Sequence, residues 1–379
     1  MKKVLFVSEH FPSKVGGVRG LYYDLCAFSK KFEVHFIRLK LSKTKTLAIL
    51  ELPKNVKFLE VECKGLSFSP SFFLYPIYFI SLSKMAWARP IVQDYINKNN
   101  IDCVILNTNS CSVALHDIKS RSKVAEIIDS VNLYYKTKYE KLRTTVALMT
   151  YWLNRLLSKI LFWQLSKNFD LFVYISKADR NEEYTPKNKT IIYLQARDPP
   201  LKKIPNNKRD IDVVIFGAWN HPPNRDGIKE IISKLGEIKG NIVIVGPHFY
   251  QKQAFPSNVK YVGFVEDISN ILLRSKIALI PVYYGAGVQN KVFDALRHGC
   301  VVVTTKFTKN SFEANGLKSE SISCSDDLIA GVNLALKNYT PCSVKKACQS
   351  YRKFYFKSWQ KEYEFVKKVL QLIKQKAQC

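Results

Sequence analysis

The feature that most constrains this chain is a repeated alternation of short, wholly apolar runs with stretches of helical spacing. Runs such as Val4–Ser8 and Cys103–Asn107 are apolar at nearly every position instead of at every second one. A parallel sheet needs such runs when helices cover both of its faces. The pattern therefore predicts a doubly wound α/β architecture. The other predicted strands are Glu33–Leu39, Val124–Asp129, Leu171–Ser176, Val213–Gly217, Ile242–Gly246, Val259–Gly263, Ala278–Pro281 and Val301–Thr304, and helices are predicted over Leu21–Lys31, Ile228–Leu235 and Asn290–His298.

The alternation breaks once, in a segment rich in Pro, Asn and Lys over 197–209, and then restarts. The chain has 379 residues, enough for about two domains. We therefore predict an N-terminal domain over 1–196, a linker over 197–209 and a C-terminal domain over 210–345. The remaining residues, 346–379, have amphipathic helical spacing and are expected to form a tail that packs back toward the N-terminal domain.

The net charge of +28 is shared equally, with +14 in residues 1–200 and +14 in 201–379. Such a charge favours anionic partners, such as phosphorylated small molecules, acidic lipids or nucleic acid, although a merely solubilising surface accounts for it as well. The nine cysteines are scattered and never spaced as CxxC, which excludes a zinc ribbon or an iron–sulfur site. A reducing, cytoplasmic compartment is the simplest expectation, and the first apolar run predicts a strand and not a signal peptide.

A stretch of 19 uncharged residues, 65–83, has the length that crosses a bilayer. It contains two prolines and several serines, and its aromatic residues suit an interface better than a hydrocarbon core. A buried or partner-facing segment is expected, with docking on an anionic membrane surface and a true span as alternatives.

A glycine-containing turn joins a predicted strand to a predicted helix over Tyr284–Leu296. Gly285 and Gly287 allow backbone N–H groups to approach an anion, and the helix N-terminus adds unpaired donors. Lys291 adds a positive charge in the first helical turn. An ordinary surface turn would explain the same residues. Since Asn290 replaces the third glycine of GxGxxG, the sequence does not support a nicotinamide-cofactor site.

The segments around this turn carry a resemblance. FGAWNHPPN at 216–224, IVGP at 244–247, VGFVED at 262–267, the glycine turn and HGCVVVT at 298–304 follow in order. In this order they resemble the C-terminal domain of GT-B retaining glycosyltransferases of family 4, also called glycosyl transferases group 1. The resemblance is strong over 211–305 and loose over 40–125. It implies two Rossmann-like domains facing across a cleft, with a C-terminal helix closing back on the N-domain.

The resemblance also implies roles in the C-terminal domain. Lys291 and the backbone of the glycine turn would hold the diphosphate of a nucleotide-sugar donor, and Asp294 stands where the family has a Glu that binds the ribose. Ala286 replaces the other carboxylate of the family's E-x7-E pattern. The charged residues that many members place after the first strand are also missing, and Arg225 is the candidate substitute near Ala218 and Asn224. The donor-binding residues implied in this domain are Gly217, Arg225, Val265, Gly287, Val288, Asn290, Lys291 and Asp294.

In the N-terminal domain, the resemblance implies that Gly16 and Gly17 approach the sugar and phosphates of the donor. Asp129 stands where the family has a His or Asp that faces the sugar, and His10 follows the first strand at a position from which it would contact the acceptor. Asp129, His10 and Lys291 are therefore the predicted catalytic residues. A helix cap explains Asp129 equally well, and a structural role explains His10.

These observations predict a glycosyltransferase that moves a sugar from a UDP- or GDP-linked donor to a glycan, lipid-linked or protein-linked acceptor. We expect no metal and no cofactor beyond the donor. Retention of configuration is implied by the resemblance alone. Two alternatives remain: a GT-B scaffold without turnover, and a basic nucleic-acid-binding protein, although no specific nucleic acid is expected because the charge is spread evenly.

Overall fold

The computed structural model describes residues 1–13, 19–41, 52–74, 78–192, 197–206, 208–249 and 255–378. The chain forms two compact units: Met1–Arg197 together with Ser358–Cys379, and Asp198–Lys357. Each unit is built on one parallel sheet. The two-sheet α/β fold predicted from the apolar runs is thus confirmed.

The first unit contains a seven-stranded sheet in the order β3-β2-β1-β4-β5-β6-β7, and all of its neighbouring strands pair in parallel. Its strands are β1 Lys3–Ser8, β2 Glu33–Lys40, β3 Val56–Glu62, β4 Cys103–Asn107, β5 Ser122–Ile127, β6 Leu171–Tyr174 and β7 Thr190–Ile192. Its helices are α1 Arg19–Phe28, α2 Phe79–Trp87, α3 Arg89–Asn99, α4 Asn109–Ala114, α5 Val131–Leu142, α6 Thr145–Asn168 and α7 Lys177–Glu182, with 3₁₀ turns at Pro70–Leu74 and Lys187–Lys189.

Strand β1 shows why these runs are apolar throughout. Val4 and Phe6 belong to one core cluster, whereas Leu5 and Val7 belong to another on the opposite face of the sheet. All four side chains are fully buried. The first cluster also contains Phe365 of the C-terminal segment, whose ring lies 5.1 Å from that of Phe28. The end of the chain is therefore part of the core of the first unit.

The second unit contains a six-stranded parallel sheet in the order β10-β9-β8-β11-β12-β13. Its strands are β8 Ile211–Phe216, β9 Ile242–Val245, β10 Val259–Tyr261, β11 Ser275–Ile280, β12 Val301–Thr304 and β13 Ile322–Cys324. Its helices are α8 Pro222–Ile231, α9 Ser269–Arg274, α10 Asn290–Arg297, α11 Lys306–Ala314 and α12 Leu328–Lys337, with a 3₁₀ turn at Ile232–Glu237, and α13 Pro341–Gln378 begins in this unit.

Strand order reverses between β1 and β4 in the first sheet and between β8 and β11 in the second. In open parallel sheets, ligands bind outside the carboxyl ends of the strands at such a reversal, because the two flanking loops diverge there. Each unit therefore has one preferred position for a binding site.

The structure corrects several predicted boundaries. The helix predicted from Ile228 begins at Pro222, because proline suits the first helical turn, and it ends at Ile231 before a 3₁₀ turn. Strand β5 ends at Ile127, so Asp129 lies in the following loop and not in a strand. Strands β3, β7 and β13 were not predicted. All three lie at sheet edges, where a continuous apolar run is not required. Strands β7 and β13 are also only three residues long.

Candidate functional site

The reversal point of the second sheet is formed by the residues after β8 and by the loop from β11 to α10. Gly285 and Gly287 in that loop have φ angles of +147° and +70°, a region that side-chain-bearing residues rarely adopt. Helix α10 begins at Asn290, and Val292 N donates to Gln289 O at 3.0 Å. The N–H groups of Asn290 and Lys291 precede this bond, so this end of the helix offers donors and a partial positive charge to an anion.

Lys291 brings a positive charge to this turn. Its Nζ donates to Asn224 Oδ1 at 2.6 Å. Desolvation by burial lowers the pKa of Lys291 from 10.5 to about 7. A cation held by a neutral amide keeps its attraction for an anionic ligand, because an amide, unlike a carboxylate, does not neutralise the charge.

Gly217, directly after β8, lies against the same ammonium. A Cβ atom at this position would stand 3.0 Å from Lys291 Nζ and 3.2 Å from Asn224 Nδ2. Glycine therefore leaves room for the lysine and the asparagine beside the end of the strand.

Asn224 is the residue at this site to which we assigned no donor-binding role. It lies in the first turn of α8 and is 7% exposed. Its Nδ2 donates to Ala218 O at 2.9 Å, which fixes the amide so that its Oδ1 faces Lys291. The neighbouring His221 has its pKa lowered by burial and by the charge of Lys291. The sequence signals for Asn224 were its place at the end of FGAWNHPPN, after the Pro222–Pro223 pair, and its position near the charged residues that many family members have.

Arg225, which the resemblance implies as a donor-binding residue, is paired in the structure with a neighbouring carboxylate. Its side chain is exposed, and Nε donates to Asp226 Oδ1 at 3.2 Å. Asp226 also accepts a 2.6 Å hydrogen bond from Tyr284 Oη. The positive charge of the site is therefore supplied by Lys291, with the charge of Arg225 offset by a neighbouring carboxylate.

The other predicted donor residues of this unit lie on the same loops. Val288 is buried in the glycine turn, and Asp294 lies one turn into α10, where its backbone carbonyl accepts from the ring of His298 at 2.7 Å. Val265 is half-buried in the loop after β10, two residues beyond Gly263, whose φ is +73°. Gly16 and Gly17 lie outside the described residues.

The reversal point of the first sheet contains the predicted His10. This residue follows β1, its side chain is about half exposed, and its Nε2 lies 3.9 Å from Glu9 Oε1. Glu9, which the sequence analysis did not select, accepts from Thr108 Oγ1 at 2.7 Å and from Cys111 Sγ at 2.9 Å. Thr108 has a φ of +93°, a strained conformation of the kind that concentrates at functional sites.

Asp129 lies at the same edge, in the loop between β5 and α5. Its side chain is exposed, yet desolvation by the surrounding protein, with a smaller contribution from Asp179, raises its pKa to about 7. The pKa of Tyr78 is raised by burial and by the charges of Asp129, Tyr134 and Glu9, so these groups lie near one another. Both predicted N-terminal catalytic residues thus stand at the carboxyl edge of the first sheet, among tyrosines and a second carboxylate.

Metal-ligating groups do not cluster in this part of the molecule. Among the residues that the structure describes, no three His, Cys, Asp or Glu side chains are arranged so that they could hold a metal ion.

Comparison with known proteins finds a family model that matches part of the chain. Residues 210–338 match the family model of glycosyl transferases group 1. None of the curated proteins matches the chain.

Solved structures are similar over nearly the whole length. Sucrose-phosphate synthase from Thermosynechococcus elongatus is 15% identical, with 99% of each chain covered and a TM-score of 0.68. WaaG, a glycosyltransferase involved in lipopolysaccharide biosynthesis, is 14% identical, with 96% of this chain and 98% of that one covered and a TM-score of 0.64. HepE from Anabaena, in complex with UDP, is 13% identical, with 98% and 100% covered and a TM-score of 0.64. These likenesses show the GT-B fold.

Proposed function

We propose that this chain, a glycosyltransferase with the GT-B fold whose residues 210–338 form a domain of the glycosyl transferases group 1, transfers a sugar from a UDP-linked donor to an acceptor hydroxyl. The observation that carries the proposal is the Lys291 ammonium, bound to Asn224 beside the glycine turn and the start of α10. UDP is the first candidate because HepE was solved with UDP. GDP-linked donors are the second.

The diphosphate is the group that this arrangement suits. As the bond between the anomeric carbon and the diphosphate oxygen breaks, negative charge grows on the departing phosphate. Lys291 and the backbone N–H groups at the start of α10 stabilise that charge electrostatically. Asp294 would bind the ribose hydroxyls, and the backbone near Val265 would contact the base. No step of this scheme requires a metal ion.

The acceptor would enter at the carboxyl edge of the first sheet, where Asp129 and His10 lie. Its hydroxyl oxygen forms the new bond to the anomeric carbon, and its proton passes to the leaving diphosphate oxygen. Attack from the face that the diphosphate leaves would give retention of configuration. The acceptor is a glycan, free or attached to a lipid or a protein. Attachment of the enzyme to a membrane surface would suit a lipid-linked acceptor.

Thermal unfolding with added nucleotides tests the proposal. At one hundred times its dissociation constant, UDP should stabilise the protein by about 2.7 kcal/mol, and AMP at the same concentration should not. A chelator such as EDTA should leave the UDP effect unchanged if the site is metal-independent. NMR of the transfer product, or of sugar released by slow donor hydrolysis, reports the anomeric configuration. If no nucleoside diphosphate changes the melting temperature, the proposed donor site is refuted.

A further inference from the structure

Helix α6 presents a large apolar surface to solvent. Seven of its side chains are between 47% and 74% exposed. They are Val146, Met149, Trp152, Leu153, Leu156, Ile160 and Trp163, and we call them the α6 stripe. Single exposed apolar residues are normal on a protein surface, but a contiguous set of this size marks an interaction surface.

The α6 stripe is one continuous face and not a scatter of residues. At about 100° per residue, its seven members fall within an arc of roughly 120° around the helix axis. The core-facing side chains Leu161, Phe162 and Leu165 project from the other side of the same helix. The helix is therefore apolar on two faces, and the first unit itself covers only one of them.

The charges around the stripe are predominantly positive. Helix α6 contains no Asp or Glu, and residues 131–168 contain seven Lys and Arg against one Glu. Lys159 and Lys167 are exposed on α6, and Lys167 Nζ lies 3.4 Å from the centroid of the Trp163 ring. Tryptophan and lysine together, at the border of an apolar face, are typical of helices that lie in a membrane interface.

A second exposed apolar group lies close by in the fold. The 3₁₀ turn Pro70–Leu74 packs against α6, and Phe73 in that turn is 69% exposed. The ring of Phe73 lies 5.3 Å from that of Phe79, and the ring of Phe68, also exposed, lies 5.9 Å from Phe79 on the same segment. The segment 65–83, expected to be buried, to dock or to span, thus has exposed aromatic residues next to the longer stripe.

We propose that the α6 stripe docks this chain onto the surface of a bilayer that contains anionic lipids, with α6 parallel to the surface. The apolar side chains would enter the headgroup region while Lys159 and Lys167 bind lipid phosphates. A second copy of the chain is disfavoured as the occupant, because the same excess of positive charge on both copies would repel. Within the described residues, no helix has both the length and the apolar character needed to cross a bilayer.

Flotation with lipid vesicles tests this surface without donor or acceptor, so its outcome is independent of the proposed transfer. The full-length chain should float with phosphatidylglycerol–phosphatidylcholine vesicles and not with pure phosphatidylcholine, and added salt should weaken the binding. The double variant Trp152→Gln/Leu156→Gln should lower vesicle affinity by about tenfold or more. The matched control is Trp359→Gln/Leu334→Gln, which removes two side chains of similar exposure elsewhere and should change the affinity by less than about twofold.

Three results would overturn the proposal. They are absence of vesicle binding by the unmodified chain, equal binding of the α6 double variant, and equal loss in the control variant. Sedimentation equilibrium excludes the competing occupant: a dimer that the α6 substitutions dissociate would identify the stripe as a contact between two copies. Circular dichroism of both double variants verifies that they fold.

Discussion

Replacing Lys291 with methionine should stabilise the unliganded protein and at the same time abolish donor binding. Methionine keeps the length and apolar volume of the lysine stem but removes the ammonium. A structural lysine would give the opposite result, because its loss would destabilise the fold. The variant therefore separates a binding role from a structural one.

The expected size of the stabilisation by Lys291→Met follows from the burial of the Lys291 side chain. A fall of the pKa from 10.5 to about 7 corresponds to roughly 5 kcal/mol against the charged form. Loss of the bond to Asn224 Oδ1 costs about 1 kcal/mol. The net gain is therefore at most about 4 kcal/mol, and each kcal/mol raises the melting temperature by about 2–4 °C for a unit of this size.

The stability gained by Lys291→Met should depend on pH in a defined direction. The unfolded lysine titrates near 10.5 and the folded one near 7, so the unfolded chain binds more protons between these values. The penalty is complete below pH 7, shrinks as the pH rises and vanishes above pH 10.5. Lys291→Met should therefore be more stable than the unmodified chain at pH 6.5, and less stable above pH 10 because Asn224 has lost its partner.

Differential scanning fluorimetry at several pH values, with and without UDP, measures both effects. UDP should raise the melting temperature of the unmodified chain and of the control Lys229→Met, whose lysine is exposed at the end of α8. It should not raise that of Lys291→Met. A variant that is destabilised at pH 6.5, or that keeps the full UDP effect, would refute the assignment of Lys291 to the diphosphate.

Three further substitutions test the fold and the two candidate sites. Arg197→Met leaves a buried ion pair without its cation and should cost about 3–5 kcal/mol in urea unfolding, whereas a cost below about 1 kcal/mol would show that the pair contributes little. Gly227→Ala places a Cβ atom 1.6 Å from Pro281 O, so it should displace the start of the glycine turn and weaken UDP binding by about tenfold or more in calorimetry. Asp129→Asn should remove a pH-dependent step near pH 7 from the rate of sugar transfer, since the carboxyl there titrates at about 7; an unchanged profile would exclude it.

The fold could be predicted because its apolar runs have one physical cause. Val4 and Phe6 face one core cluster of the first sheet and Leu5 and Val7 face the other, so a continuous run in the sequence reports burial on both faces. Edge strands carry no such signal. Strand β3, Val56–Glu62, has partly exposed positions along most of its length, and for that reason its sequence did not stand out.

The candidate site could be predicted only in part, because sequence reports loop chemistry but not side-chain pairing. The glycine turn and Lys291 were visible as a pattern. The bond between Lys291 and Asn224 joins residues 67 positions apart, and the contact of Glu9 with Cys111 spans 102 positions. Such pairs depend on the order of the strands in each sheet, which determines the loops that become neighbours.

The pairing of Lys291 with the amide of Asn224, and not with a carboxylate, has a further consequence for donor binding. A carboxylate in place of Asn224 would hold the ammonium charged and neutralise it, and a diphosphate would then have to displace an ion pair. The amide instead orients the ammonium while burial keeps it partly deprotonated near neutral pH. An arriving diphosphate would raise the pKa of Lys291 and take up a proton. UDP affinity should therefore fall as the pH rises above 7, and calorimetry in buffers of different ionisation enthalpy should detect the proton uptake. The Lys229→Met control should keep this uptake, and its presence in Lys291→Met would place the titrating group elsewhere.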